Sequence, residues 1–176
     1  GDASVSLNAS VSPTSATGSV EFFVNGVSVG ATPVSSGTAS ISYNLSGVNA
    51  GVYTIKANFI GTGNYASSSS NSSVPVANGN LTIGTRRVVV TADAQSKIYG
   101  AADPALTYQI TEGSLVGSDA FSGSLTRDAG NDVGSYAIKQ GTLALSTNYE
   151  LGYNSANLTI GTRRVVVTAD AQSKIY

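Results

Sequence analysis

Apolar and polar residues alternate with a period of two along most of the chain, and no window has the spacing of an amphipathic helix. The stretch SVSLNASV at residues 4–11 alternates apolar residues with Ser and Asn, and GVYTIKANFI at residues 51–60 places Tyr53 and Phe59 on one apolar face. Turn-forming residues separate such stretches at the intervals expected of a β-sandwich. The pattern therefore predicts an all-β chain.

Two short motifs add detail to this prediction. Asn25-Gly26 lies between two β-rich runs, and because both central residues of a type I′ turn adopt positive φ, the pair predicts a tight hairpin. Tyr53 and Tyr136 each follow a Gly two residues upstream, at the start of a late strand. A tyrosine at this place resembles the tyrosine corner of immunoglobulin-like sandwiches, where the hydroxyl bonds to nearby backbone, so we expect a structural role for both.

The second half of the chain repeats the plan of the first half. RRVVVTAD at residues 86–93 opens the second half, ALTYQI follows at residues 105–110, and ANLTI at residues 156–160 closes it. GSYAIK at residues 134–139 matches GVYTIK at residues 51–56 as a Gly-x-Tyr-x-Ile-Lys pattern. Because internal repeats reveal modular architecture, we predict two sandwich-type modules arranged end to end.

The boundary between the modules is predicted at ANGN, residues 77–80, just after a short closing strand, VPVA, at residues 74–77. This gives an Ig-like β module at residues 1–79, which lacks a first strand of its own. A second β module follows at residues 80–160. The remainder, residues 161–176, is interpreted as a linker and a surplus C-terminal strand that completes a neighbouring module.

One segment of the chain occurs twice without change. The twenty residues NLTIGTRRVVVTADAQSKIY stand at 80–99 and again at 157–176. The first copy continues into Gly100, and the second copy would show the same strand–turn–strand pattern if it were joined to Gly1 of a further unit. We therefore expect one circularly phased unit of a longer series, in which residues 162–176 supply the first strand of the next unit's first module. The predicted assembly strand comprises Arg163, Arg164, Val165, Val166, Val167, Thr168 and Tyr176.

The valines of this repeat favour strand addition. A strand at residues 86–92 buries valines on both faces if it is central in its sheet. The same run at residues 165–167 has nothing of its own module to pair with. Such an unpaired strand is expected to add to an open sheet edge of another molecule or module, since this satisfies its backbone groups and buries its valines.

Composition and charge narrow the possible partners. Hydrophobic residues make up 41% of the sequence, which is enough for packed cores, and the formal net charge is −1. Nucleic acids and anionic membranes select clustered Lys and Arg, so neither is expected as a partner. No apolar run reaches the roughly 20 residues of a membrane helix. The sequence has no Cys, so folding has to rest on cores rather than disulfides.

Candidate chemistry is sparse. With no His and no Cys, most nucleophile–base pairs and zinc sites are excluded, and the lysines lack a supporting catalytic motif, so no enzyme activity is expected. Lys56 alternates with core positions and faces solvent, which argues against an internal cross-link. No cofactor is expected. Calcium alone stays open, with Asp128 and Asp132 of RDAGND as weak ligand candidates, although a turn that bonds its own backbone explains this motif better.

Longer motifs resemble two known families. Residues 1–77, with GSVEFFVNG and AGVYTIKANFIGTGNYASSSS, resemble a bacterial Ig-like repeat domain of large surface proteins. Residues 84–160, with VTADAQSKIYGAADPALTYQI, GSLVGSDAFSGSLTR and DVGSYAIKQGTL, resemble the MBG and YDG-type repeats of giant bacterial adhesins. The resemblance implies tandem, extracellular, β-rich stalk modules without an active site.

These observations lead to one function and two open alternatives. We expect a structural repeat of an extracellular bacterial fibre or adhesin stalk, with copies of itself, end to end, as partners. One alternative is an adhesin module that binds carbohydrate or host protein through the loop at residues 113–124 or the Ser-rich stretch at residues 66–73. The other is a set of separate subunits that polymerise by donor-strand exchange.

Overall fold

The structure is a computed structural model that describes residues 4–70 and 79–176. These residues contain strands and turns but no helix, and the predicted all-β fold is confirmed. The described part of the chain thus holds no helix that is long and apolar enough to span a membrane. The chain divides into two compact units, Gly1–Thr85 (unit one) and Arg86–Tyr176 (unit two).

Unit one is a sandwich of two sheets. Its strands are β1 Ser4–Ser10, β2 Gly18–Val24, β3 Val27–Pro33, β4 Thr38–Asn44, β5 Gly51–Gly61, β6 Ser68–Ser69 and β7 Gly79–Ile83. β1 and β4 form an antiparallel pair with Leu7 opposite Ile41. The second sheet has the order β3-β2-β5-β6, and β7 pairs antiparallel with the first half of β5.

The core of unit one lies between these sheets because apolar residues alternate along β2 and β5. Val20 and Phe22 of β2 are 1% and 0% exposed, and Leu7 of β1 is also buried. Tyr53 and Phe59 of β5 pack against this cluster. The predicted period of two therefore corresponds to the buried face of each strand.

The turn between β2 and β3 is formed by Asn25 and Gly26, with φ of 48° and 82°. Asn25 also accepts a hydrogen bond at Oδ1 from the backbone N–H of Thr54, at 2.8 Å. The asparagine thus shapes its own hairpin and ties it to β5.

β7 shows a difference from the boundary predicted at residue 79. Asn80 to Ile83 pair with β5 of unit one, with Tyr53 opposite Leu81, so the contact boundary falls after Thr85. The same four-residue sequence, NLTI, recurs in the last strand of unit two. It therefore forms part of the last strand of each unit, whereas the sequence pattern placed its first copy at the start of the second module. The predicted strand VPVA at residues 74–77 lies outside the described residues.

Unit two also has two sheets. Its strands are β8 Arg86–Ala92, β9 Gln95–Ile98, β10 Tyr108–Glu112, β11 Thr126–Arg127, β12 Gly134–Lys139, β13 Tyr149–Asn154 and β14 Ala156–Gly161. One sheet has the order β10-β8-β13 and the other β11-β12-β14-β9. The pairs β8–β13 and β9–β14 are parallel, and the remaining pairs are antiparallel.

β8 is the central strand of its sheet, and its three valines are buried on both faces. Val88 and Val90 are 0% exposed and Val89 is 6% exposed. Val90 joins the core with Ile138 and Leu158 of the facing sheet. On the other face, Val89 lies against Gly152 of β13, where an added Cβ would meet Val89 Cγ2 at 3.1 Å.

Candidate functional site

Residues 162–176, called the C-terminal segment below, follow β14 and form no strand within this chain. Every residue of the segment is exposed, including all those of the predicted assembly strand, Arg163, Arg164, Val165, Val166, Val167, Thr168 and Tyr176. Val165, Val166 and Val167 are 79%, 70% and 90% exposed. Three adjacent exposed valines on an unpaired backbone are a template for pairing with another strand.

The same sequence has a different environment earlier in the chain. Residues 86–99 are identical to residues 163–176, yet their valines are almost fully buried in β8. Because the two sequences are identical, the difference in valine exposure comes from the strands that surround each copy. The first copy has β10 and β13 as neighbours on its two sides, and the second pairs with no strand of the described residues.

The first copy also shows the path that this sequence follows when it is folded. Residues 86–92 lie in the sheet of β10, β8 and β13, and residues 95–98 then pair with β14 in the opposite sheet. Asp93 and Ala94 make the crossing between the sheets. One fourteen-residue stretch therefore links both layers of unit two.

The start of the C-terminal segment lies against unit two. Arg163 and Val165 line a surface groove of 450 Å³ together with Tyr99, Asp132 and Val133. Beyond this groove, Ile175 and Tyr176 are exposed. The segment thus begins beside Tyr99, Asp132 and Val133, and its valines remain largely exposed.

Unit one contains a second, larger groove. It measures 730 Å³ and is lined by residues from both sheets. Residues 8–12, from β1 and the chain just after it, form one side. Ile55, Ala57 and Phe59 of β5 and Ser68 of β6 form the other. We call this the unit-one groove. It is a mostly apolar opening between two sheet edges.

A charged network joins three elements of unit two. Asp103 accepts a hydrogen bond from Lys97 Nζ at 2.6 Å and one from Arg127 Nε at 2.7 Å. The Lys97 and Arg127 side chains are only 8% and 14% exposed. The hydrogen bond from Arg127, and after it the bond from Lys97, lowers the pKa of Asp103 from 3.8 to about 2. The same bond raises the pKa of Arg127.

The weak calcium candidates lie in a loop that Arg127 organises. Arg127 Nη1 donates to the carbonyl oxygens of Asp128 and Gly130, at 2.8 and 2.7 Å. The Asp128 carboxylate forms an ion pair with Lys139. Across residues 4–70 and 79–176, no three acidic, His or Cys side chains gather as a metal site would require. Arg127 thus holds the backbone of the loop that contains Asp128 and Asp132.

Two comparisons with known families bear on these units. Residues 1–77 match the bacterial Ig-like domain (group 3), and residues 88–159 match the MBG domain (YGX type). The chain is a bacterial Ig-like domain followed by an MBG domain. This confirms the resemblance found in the sequence. Both families are non-catalytic structural domains that are typical of bacterial surface adhesin repeats. A search of curated proteins finds no match.

The Ig-like and MBG domains share one tyrosine arrangement. In the Ig-like domain the hydroxyl of Tyr53 donates to the carbonyl of Asn49 at 2.8 Å. In the MBG domain the hydroxyl of Tyr136 donates to the carbonyl of Asp132 at 3.0 Å. Each bond joins the tyrosine to the backbone four residues upstream, which is the arrangement of a tyrosine corner.

The loop at residues 113–124 of the MBG domain, a binding candidate from sequence, is fixed by a residue that the sequence pattern did not single out. Tyr149 donates to Asp119 Oδ2 at 2.6 Å and accepts from the backbone N–H of Val116 at 2.8 Å. The bond to Asp119, followed by burial, raises the pKa of Tyr149. Of the other candidate, the stretch at residues 66–73, only residues 66–70 are described.

Sequence reasoning also missed the Asp103–Arg127 pair. The two residues are 24 positions apart and no local pattern connects them. Lys97 and Asp103 lie six residues apart, on either side of the Tyr-Gly turn of the MBG domain. Opposite charges that flank a turn were the one sequence feature that could have indicated this network. Lys174 is the counterpart of Lys97 in the second copy of the repeat.

Proposed function

We propose that this chain is a structural repeat unit of an extracellular bacterial fibre or adhesin stalk, where it provides reach and mechanical continuity. In this proposal the C-terminal segment joins one unit to the next by pairing with unit one of that neighbour. The observation that carries the proposal is the contrast between two copies of one sequence. Val90 is 0% exposed in β8, and Val167, its counterpart in the C-terminal segment, is 90% exposed.

Two further observations support the proposal. Both domain families are typical of extracellular, surface-associated bacterial proteins, which favours a location at the cell surface. Each unit has its own buried cluster, one around Phe22 and the other around Ile138. A series of such units adds length without requiring a larger core, because stability is supplied unit by unit.

Polymerisation of separate subunits is the second candidate, and the exposure of Val165 to Val167 favours it as well. It uses the same strand pairing and differs in one covalent bond, between Tyr176 of one unit and Gly1 of the next. Strand addition of this kind is known to hold separate chains together through backbone hydrogen bonds and buried side chains.

The mass of the native protein after complete denaturation tests the proposal. A covalent stalk is expected to give a polypeptide whose mass is many times the 17.7 kDa of this chain. Material of 17.7 kDa that was assembled before denaturation would instead establish separate subunits. Material of that mass that was monomeric before denaturation would contradict both forms of the proposal.

A further inference from the structure

The edge of β1 is the first observation behind a more specific inference. Within residues 4–70 and 79–176, the one strand that pairs with β1 is β4, along the register from Ser4–Asn44 to Ser10–Thr38. In an antiparallel pair, every second backbone group points away from the partner strand. No strand of the described residues bonds the other edge of β1, so within that part of the chain its N–H and C=O groups there are available to a further strand.

The unit-one groove is the second observation. It runs beside this edge of β1 and continues to β6, which belongs to the opposite sheet. Ile55, Ala57 and Phe59 supply apolar surface inside it. A segment that fills the groove has to contact both sheets and has to bring apolar side chains with it.

The third observation is the internal template at residues 86–99. In unit two this sequence runs along one sheet as β8, turns at Asp93 and Ala94, and pairs with the other sheet as β9. It carries Val90 and Ala92 into the core between the sheets. The C-terminal segment has the same sequence and forms no strand with any described part of the chain, so it carries the side chains that the unit-one groove requires.

We propose that residues 163–176 of a second copy of this unit occupy the unit-one groove and link its two sheets. Residues 163–169 lie along the free edge of β1, and residues 172–175 reach the sheet that contains β5 and β6. Val165 and Val167 point into the groove, as Val88 and Val90 point into the core of unit two. This inference rests on the proposed function and deepens it by assigning the acceptor site.

The side-chain alternation of β1 predicts which residues meet. Leu7 and Ala9 face inwards, and Asn8 and Ser10 are exposed. Since neighbouring strands direct their side chains to matching faces, an inward Val165 and Val167 place Val166 outwards beside Asn8 and Ser10. Val166 and Ser10 are therefore a suitable pair for a disulfide test.

The test uses a chain with Ser10→Cys and Val166→Cys, which introduces cysteines into a sequence that has none. Under oxidising conditions we expect a ladder of covalent multimers on a non-reducing gel. The matched control combines Val27→Cys with Val166→Cys, because Val27 is an exposed valine at 68% on the edge strand β3. The control is expected to cross-link at least about tenfold more slowly, since no pairing raises the effective concentration of its thiols.

The other outcomes of this experiment overturn the inference in distinguishable ways. A disulfide closed within one chain would show that the groove takes the chain's own segment rather than that of a second copy. Assembly in which Val166→Cys forms a disulfide with neither Ser10→Cys nor, in a second variant, Asn8→Cys would reject β1 as the acceptor and leave the proposed function intact; sedimentation detects the assembly. Absence of any assembly across the concentration range would reject both the inference and the proposed function.

A second variant tests the valines without relying on a cross-link. Val167→Asp is expected to weaken self-association by more than about tenfold, because the carboxylate would have to be buried in an apolar groove. Val27→Asp serves as the control, since it adds the same charge at another exposed valine. Both positions are exposed in the single chain, so neither change threatens folding. Equal self-association of Val167→Asp and the unaltered chain would contradict the inference.

Discussion

Arg127 organises the polar side of unit two at the scale of single residues. Its guanidinium bonds Asp103 and two carbonyl groups of the following turn, and it lies 5.5 Å from the centre of the Tyr136 ring. Tyr136 in turn bonds the carbonyl of Asp132. One side chain thus connects the strand β11, the turn after it and the tyrosine corner of β12.

The lowered pKa of Asp103 predicts a pH dependence of stability. The pKa is about 2 in the folded chain and 3.8 as the ordinary value, so the folded state holds this proton less tightly than the unfolded state. The ionised carboxylate therefore stabilises unit two fully above about pH 4, and the contribution is lost as the pH falls towards 2. Asp103→Asn is expected to lower the urea midpoint of unit two at pH 6 and to have much less effect at pH 2.5.

Amide NMR signals of unit two, followed through urea titrations at both pH values, measure this difference. Asp170→Asn is the control, because it removes an exposed carboxylate of the C-terminal segment. The urea midpoints of Asp170→Asn should equal those of the unaltered chain at both pH values. If Asp103→Asn lowers the urea midpoint by the same amount at pH 6 and at pH 2.5, the ion pairs of Asp103 contribute nothing to the stability of unit two.

Tyr149 supports a second prediction at this scale. Tyr149→Phe removes the hydroxyl that bonds both Asp119 and the N–H of Val116. We expect the Val116 amide to exchange with solvent roughly tenfold faster, because the turn loses two bonds while the ring keeps its packing. Hydrogen exchange followed by NMR measures the effect. Tyr153→Phe, which removes a bond to the Ile138 carbonyl instead, should leave the Val116 rate unchanged.

At the scale of elements, β8 was predictable and its parallel neighbour β13 was not. Three adjacent valines indicate a strand that is buried on both faces, which is what β8 shows. β13 also alternates, with Tyr149, Leu151 and Tyr153, but Gly152 interrupts the run, and Gly is depleted in strands. The reason for Gly152 is a contact with Val89, 63 residues away, and no local pattern reveals such a contact.

Gly152→Val tests the role of this glycine. The new side chain would meet Val89 Cγ2, which lies 3.1 Å from the position of an ideal Cβ. We expect a loss of about 1–3 kcal/mol in the free energy of unfolding of unit two, as for other overpacked cores. Urea denaturation measures it. Gly84→Val is the matched control, because nothing lies within 4 Å of an ideal Cβ there. Equal stabilities of the two variants would refute this account of Gly152.

At the scale of the whole molecule, one sequence occupies two environments in the same chain. The repeat was visible in the sequence, and so was the idea that its second copy seeks a partner. The acceptor was not visible, because the groove in unit one combines residues 8–12 with Ile55 and Ser68, which only folding brings together. The sequence therefore predicted a donor strand, and the structure was needed to propose where that strand binds.

The identical copies give a direct measurement of assembly. Protease fragments of residues 86–99 and 163–176 have the same mass, so hydrogen exchange followed by mass spectrometry should show two isotopic envelopes for one fragment in dilute protein. We expect the unprotected envelope to move to the protected one as the concentration rises. In Val167→Asp the two fragments differ in mass, and the fragment from the C-terminal segment should stay unprotected. Two envelopes that persist in the unaltered chain at every concentration would contradict assembly through this segment.

The parallel pairing of β9 with β14 also affects how unit two responds to a pulling force. Gln95 lies opposite Leu158 and Ile98 opposite Gly161, so an early strand and the last strand run side by side in the same direction. Tension between the two ends of the unit draws such neighbours past each other lengthwise, and their slanted hydrogen bonds are strained together instead of opening one by one. We infer that the pair acts as a shear clamp, and that unit two yields abruptly under load rather than peeling apart from one end.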